Sequence, residues 1–213
     1  MVEAAPRAYR SELRARQAKE TRARIVAASA QLFATQGYQA TTIAAIAREA
    51  GVSAETVKTT AAKAELLIAA FEVTFSGSEA AESLTDTEVA AGILEVPDEV
   101  FLDAVLTQIT TANAQGHGMW TVLLGAALSD PVVDEALRRI LDNRSADYRR
   151  LVSELVRRGI APPRADEGAT ADALSFLLSP ESYQQLVAQS GWTGDRYAAW
   201  LRAAVIAEVT AAG

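Results

Sequence analysis

The N-terminal third of the chain carries four helical patterns of apolar residues, separated by short polar breaks. Between about Ser11 and Thr35, Ile25, Ala28, Leu32 and Phe33 fall at helical spacing, the mark of one buried helix face, and Gly37 ends the run. A second pattern sets Ile43, Ile46 and Ala47 on one side behind Thr42, a good N-cap, and closes at Gly51, where a left-handed residue is needed. Ser53 is placed to cap a third helix, Ala54 to Thr60, with Val57 turned inward and Thr56, Lys58 and Thr59 turned out. A fourth runs from about Ala62 into the seventies with Leu66, Leu67, Ala70 and Phe71 inward. Ser76 to Pro97 is polar and acidic, with room for at most a short helical piece. Asp98 is then expected to cap a fifth helix carrying Phe101, Leu102, Val105, Leu106 and Ile109 as far as a break at Gly116 and Gly118. Met119 to Leu128 is apolar almost all round and predicts a buried sixth helix. Ser129, Asp130 and Pro131 form a start signal for a long seventh, Pro131 to Arg158, about 42 Å at 1.5 Å per residue. Two more helices, about Glu167 to Leu178 and Asp195 to Thr210, flank a stretch with space for one turn around Tyr183 to Ala188.

The pattern is therefore all-α, and the alanine-rich composition agrees with it. With 213 residues, half of them hydrophobic, the chain can bury a sizeable core. It has no cysteine, which excludes disulfides, thiolate catalysis and cysteine metal sites. No apolar run approaches the roughly 18 residues that cross a bilayer, and no hydrophobic segment follows the arginine-rich start to make a secretory signal, so a cytoplasmic location is expected. Charge changes the picture more. Met1 to Lys63 holds ten lysines and arginines against five acids, a net +5, whereas the remaining residues sum to −12. The overall −7 thus conceals a basic head, suited to phosphates, on an acidic body that phosphates would repel.

The second and third helices, joined by a three-residue turn containing glycine, have the layout of a helix-turn-helix DNA reader. The residues carrying this layout are Leu32, Phe33, Gly37, Tyr38, Thr41, Thr42, Ile46, Ala47, Ala50, Gly51, Val52, Ser53 and Thr56, followed by Lys63, Leu66 and Leu67. In that order they resemble the DNA-binding domain of the tetracycline-repressor (TetR) family of bacterial regulators. The C-terminal segment LLSPESYQQLVAQSGWTGDRYAAWL is similar to C-terminal segments of actinobacterial members. The chain also departs from the family pattern. Where members usually carry a tyrosine and then a histidine-phenylalanine pair, it has Lys58, Thr60 and Ala61, and Lys63 comes one residue early. A shortened turn without its aromatic wedge implies a third helix closer to the fourth.

The resemblance implies an N-terminal three-helix helix-turn-helix domain, with its arm, over 1–63, and over 64–213 a ligand-binding and dimerisation domain, a helical bundle forming a homodimer. On the reader, Thr42, Ala44, Ser53, Ala54, Glu55, Thr56, Lys58, Thr59 and Thr60 are the candidate DNA contacts. Threonine hydroxyls can meet bases or backbone, Lys58 can reach a guanine edge or a phosphate, and Glu55 can accept from cytosine or simply favour its helix N-terminus. Lys63, at a helix start, is the candidate phosphate clamp. Arg7, Arg10, Arg14 and Arg16 form a basic arm expected to lie along or enter the minor groove. Ala169, Ala173, Leu174 and Leu177, with Tyr197, Leu201, Ala204 and Val205, are the candidate dimer faces, since small residues allow close helix approach. Phe101, His117, Trp120, Tyr148 and Phe176 are candidate ligand-pocket residues, although core packing is the default for such side chains. His117 is the only histidine, no metal or cofactor motif is present, and no catalytic constellation argues for an enzyme. The expected function is a ligand-responsive transcriptional regulator, a repressor, binding a near-palindromic double-stranded operator as a homodimer and released by a small-molecule effector. The alternative is a small-molecule binding protein of the same fold with a degenerate reader.

Overall fold

Helix α1, Arg7–Ala40, is the longest element and does not stop where the glycine predicted. At Gly37 the backbone swings to φ 76° and ψ 173°, a kink only glycine adopts cheaply, and one further turn follows. The computed structural model describes residues 7–77, 79, 88–163 and 166–210, and among these every regular element is helical. After α1 come α2 (Ile43–Ala50), α3 (Ala54–Thr60), α4 (Lys63–Ser76), α5 (Glu88–Leu94), α6 (Asp98–Ala127), α7 (Pro131–Arg157), α8 (Glu167–Leu177), α9 (Pro180–Tyr183) running into a π-helical turn (Gln184–Gln189), and α10 (Gly194–Thr210). None of the described helices is long and apolar enough to cross a membrane.

The predicted break at Gly116 and Gly118 is absent, because α6 runs unbroken for 30 residues and merges the expected fifth and sixth helices. Gly116 is kept by packing and not by a turn: a Cβ there would stand 2.6 Å from Cδ2 of Phe75 on α4, so the glycine lets two helices touch. Pro97, not Asp98, occupies the N-cap position of α6. The start of α7 follows the sequence signal, with Asp130 accepting from the Val132 amide at 3.0 Å and Pro131 in the first turn.

Two apolar clusters organise the molecule. One joins Ile25, Leu32 and Phe33 of α1, Ile46 of α2, Val57 of α3 and Leu66, Leu67 and Phe71 of α4 to Met119, Trp120 and Leu123 in the second half of α6. The other joins Phe101, Val105 and Leu106 from the first half of α6 to Tyr148, Val152 and Leu155 of α7, Leu174 of α8 and Tyr197, Leu201 and Val205 of α10. Helix α6 thus serves the head with one half and the body with the other, and α4 is built into the head cluster.

Candidate nucleic-acid interface

The reader is held by two caps and one buried valine. Thr42 Oγ1 accepts from the Ala45 amide at 3.1 Å and starts α2, and Gly51, at φ 65°, closes it with its own amide on the carbonyls of Ala47 and Arg48. Two residues later Ser53 Oγ accepts from the Thr56 amide at 3.0 Å and starts α3. Val57 is wholly buried under α3, which fixes the roll of the helix and leaves Ala54, Glu55, Lys58 and Thr59 exposed, with Thr56 and Thr60 half-buried at the sides. Ala44 and Thr42 are exposed at the start of α2, and Ser53 at the start of α3. The expected DNA-contact residues therefore share one solvent-facing surface.

The hydroxyls on that surface are already engaged. Thr59 Oγ1 donates to the carbonyls of Glu55 (3.0 Å) and Thr56 (3.1 Å), Thr60 Oγ1 donates to Thr56 at 2.7 Å, and Thr56 Oγ1 lies 2.8 Å from Ser53 Oγ. With its hydrogen turned back along the helix, a threonine offers outward a lone pair and a methyl group, a surface for exocyclic amino groups and thymine methyls. Lys58 is the long cation on this face.

The turn before α4 is only Ala61 and Ala62, as the sequence implied, and Glu65 accepts from the Ala62 amide at 2.8 Å to start the helix. Lys63 does not project freely. Its ammonium sits 4.4 Å from the centre of the Tyr38 ring and donates to the Gln39 carbonyl at 3.4 Å. Tyr38 in turn donates to Asp130 Oδ2 at 2.6 Å, and Gln39 Nε2 donates to Ser129 Oγ at 2.9 Å, so the end of α1 is fastened to the corner between α6 and α7. That hydrogen bond holds the Asp130 carboxyl below its ordinary range, while burial and the neighbouring carboxylate push the Tyr38 phenol up. Sequence reading treated Tyr38 only as part of a motif and Asp130 only as a cap, since no local pattern reports that residues 92 positions apart will meet.

Arg14 and Arg16 are exposed on α1, whereas the side chains of Arg7, Arg10 and Ser11 lie outside the described residues. The segment is helical from Arg7 onward, so a placement against DNA would lay the helix along the backbone, with only side chains narrow enough to reach into a minor groove of about 6 Å. At the other side of the head Arg22 reaches Glu79 (2.7 Å) and the Thr60 carbonyl (3.5 Å), tying α1 to the end of the reader helix.

Residues 25–58 match the family described as bacterial regulatory proteins, tetR family. The match spans the second half of α1, all of α2 and most of α3. Over most of its length the chain is also similar in fold to a proposed transcriptional regulator from Pseudomonas aeruginosa PAO1, with a TM-score of 0.68 at 18% sequence identity, covering 86% of this chain and 88% of that one. A comparison with curated proteins finds no match. The comparisons thus place a TetR-family sequence signature in residues 25–58 and give the chain the all-helical fold of that structure.

The candidate pocket residues are divided between the two apolar clusters and the surface. Phe101 lies with Tyr148 in the body cluster, under the Arg158 guanidinium 4.1 Å away, and Phe176 is 68% exposed on α8. His117 is half-buried, 5.1 Å from the Tyr183 ring, with Nδ1 3.2 Å from the Asn113 carbonyl. Trp120 and Tyr148 do come together, through a residue the sequence reading passed over. Arg144, one turn before Tyr148, lies 5.4 Å from the Trp120 ring and 3.5 Å from Glu181 of α9. Beside it, Trp120 Nε1 and, on the same α6 stripe, Asn113 Oδ1 are buried without a hydrogen-bond partner among the described residues, while Arg144 Nη1 and Glu181 Oε2 have only each other, as that 3.5 Å ion pair. Asn113 Nδ2 donates to the Leu178 and Ser179 carbonyls, and Tyr197 is joined to Ser182 at 2.8 Å, so a polar seam runs between the two apolar clusters. Asn113 was readable as a polar residue on an otherwise apolar helical stripe; Arg144 and Glu181 were not, because charged residues on α7 and α9 look like solvated ones.

The expected dimer faces need correction. Leu174, Tyr197, Leu201 and Val205 are 0–1% exposed inside a single chain, where they build the body cluster, and cannot also meet a partner. The outward face of α8 carries instead Ala169, Ala173 and Leu177 beside Phe176, and on α10 Ala204 stays partly accessible.

Proposed function

We propose that the protein is a TetR-family transcriptional regulator that binds a near-palindromic operator as a homodimer, acts as a repressor and is released when a small molecule occupies its body. Residues 1–63 act as the reading head and 64–213 as the sensing and pairing body. The observation that supports the reading best is the solvent-facing surface of α2 and α3, where capped helix starts, Lys58 and the threonine methyls stand together on a rigid support. A seven-residue reader touches few bases alone, which is the physical reason for a second head one helical turn away, about 34 Å. The polar seam at Asn113, Trp120, Arg144 and Glu181 is the preferred effector contact, because buried polar atoms that lack a hydrogen bond, Asn113 Oδ1 and Trp120 Nε1 above all, gain most from a ligand that satisfies them. A ligand that favours the released conformation by about 1.4 kcal/mol would weaken repression tenfold.

The test is selection of duplexes from random DNA, followed by titration of the selected fragment at rising salt. A paired half-site sequence should emerge, with affinity falling steeply as counterions are released. Lys63→Ala should weaken every sequence by a similar factor, and Thr56→Ala or Lys58→Ala should change the preferred bases. A folded protein that enriches no sequence would leave a ligand-binding protein with a degenerate reader.

A further inference from the structure

Lys63 stands where the end of α1 is hydrogen-bonded through side chains to the α6–α7 corner. Its ammonium rests on the Tyr38 ring at 4.4 Å and on the Gln39 carbonyl at 3.4 Å, both from the last turn of α1. The two residues holding it are themselves held from the body: Tyr38 by Asp130 Oδ2 at 2.6 Å and Gln39 by Ser129 Oγ at 2.9 Å. Asp130 is also fixed, since its other oxygen caps α7 through the Val132 amide at 3.0 Å. Burial against this corner lowers the pKa of the Lys63 ammonium, and the nearby Asp130 charge partly offsets that effect. Movement of the α6–α7 corner would therefore change how Tyr38 and Gln39 hold Lys63.

We infer that Asp130, through Tyr38, is a positioning residue that sets the availability of Lys63 to operator phosphate, so that the corner of the body regulates a DNA contact of the head. The inference rests on the operator-binding reading for its DNA part. It differs from a merely structural tie in a specific way: freeing the tie should expose the lysine and strengthen DNA binding, where simple loosening of the head would weaken it. Asp130→Asn keeps an oxygen to cap α7 and removes the charge, and Tyr38→Phe keeps the ring under the ammonium and removes the hydrogen bond.

The first measurement needs no DNA. The chain has three lysines, Lys19, Lys58 and Lys63, so acetylation by an amine-selective reagent can be followed at each by mass spectrometry. Asp130→Asn should speed the labelling of Lys63 at least threefold, Tyr38→Phe less, with Lys19 and Lys58 unchanged as controls. Equal rates at Lys63 in all three proteins overturn the proposal, whatever the protein does to DNA. The second measurement is affinity for the selected duplex. Asp130→Asn should bind about three- to tenfold more tightly, with a log–log salt slope steeper by roughly one per head, and the gain should disappear when Lys63→Ala is added. A gain that survives Lys63→Ala would be plain charge repulsion, and a loss in both backgrounds would be a structural tie; either result overturns the inference. Failure of wild-type protein to bind any duplex would count against the operator reading alone, and the labelling result would still decide whether Asp130 holds Lys63.

Discussion

Single residues in this protein are often set by partners far along the chain. Arg158, only 5% exposed at its side chain, closes the end of α7 by donating to Glu154 and Asp98 and to the carbonyls of Leu94 and Val96, joining α7 to the approach to α6. Glu154 also accepts from Arg157, and these guanidiniums bring its carboxyl down to about 2 from the ordinary 4.5. A carboxylate with a lowered folded-state value adds stability above pH 4.5, and that stability is lost as the pH falls through about 2. Glu154→Gln should therefore cost about 1 kcal/mol at pH 7, a modest figure because Arg157 is well solvated. Urea unfolding at pH 7, 4 and 2.5 checks this: the gap between the two proteins should narrow steadily toward acid. A gap that stays constant across the range would mean that Glu154 contributes shape and not charge.

At the scale of elements, α6 shows both what the sequence made legible and what it left out. Caps at Thr42, Ser53 and Asp130 and the left-handed Gly51 were readable because each is settled by residues a few positions away. The reader helix, the turn before α4 and the limits of α7 followed from the same local rules, and with them most of the candidate DNA surface. Gly116 and Gly118 misled because a glycine chosen for close packing looks, locally, like a glycine chosen for a turn; only the approach of Phe75 from α4 tells them apart. The inward and outward faces of α8 and α10 were misassigned for a related reason, since an apolar stripe reports burial but not whether the cover is another helix of the same chain or a second copy. The two glycines make opposite predictions. Gly118→Ala adds a methyl with nothing within 4 Å and removes unfolded-chain freedom, so it should stabilise by about 0.5–1 kcal/mol. Gly116→Ala forces the Phe75 ring, stacked 5.4 Å from Phe71, to give way and should destabilise by about 1–3 kcal/mol. Thermal unfolding followed by circular dichroism should move in opposite directions for the pair. Two increases would show that α4 and α6 are less tightly joined than the contact implies.

For the whole molecule, the proposed function turns on how two heads would be held, because one basic head on an acidic body would bind DNA weakly and two linked heads would gain by effective concentration. Phe176 is the largest apolar side chain left open on α8, 68% exposed, with Ala169, Ala173 and Leu177 on the same helical face. An exposed aromatic flanked by small residues allows close approach of a symmetry-related helix, whereas the stripe opposite is already spent on the body cluster through Leu174. Phe176→Glu places a charge on that face without touching the core, so each chain should stay folded while its pairing fails. Sedimentation should then report the 22.6 kDa of one chain in place of twice that mass. Operator affinity should fall by about a hundredfold or more, the usual cost of losing one of two linked contacts, while the thermal midpoint at low protein concentration changes little. By contrast Leu201→Ala, in the buried stripe of α10, should lower the midpoint of each chain by removing core contacts, about 2–5 kcal/mol, through loss of folding and not of pairing alone. If Phe176→Glu remained paired and bound DNA as before, the partner would have to sit on another surface, and the outward face of α10 at Ala199 and Ala203 would be the next to change.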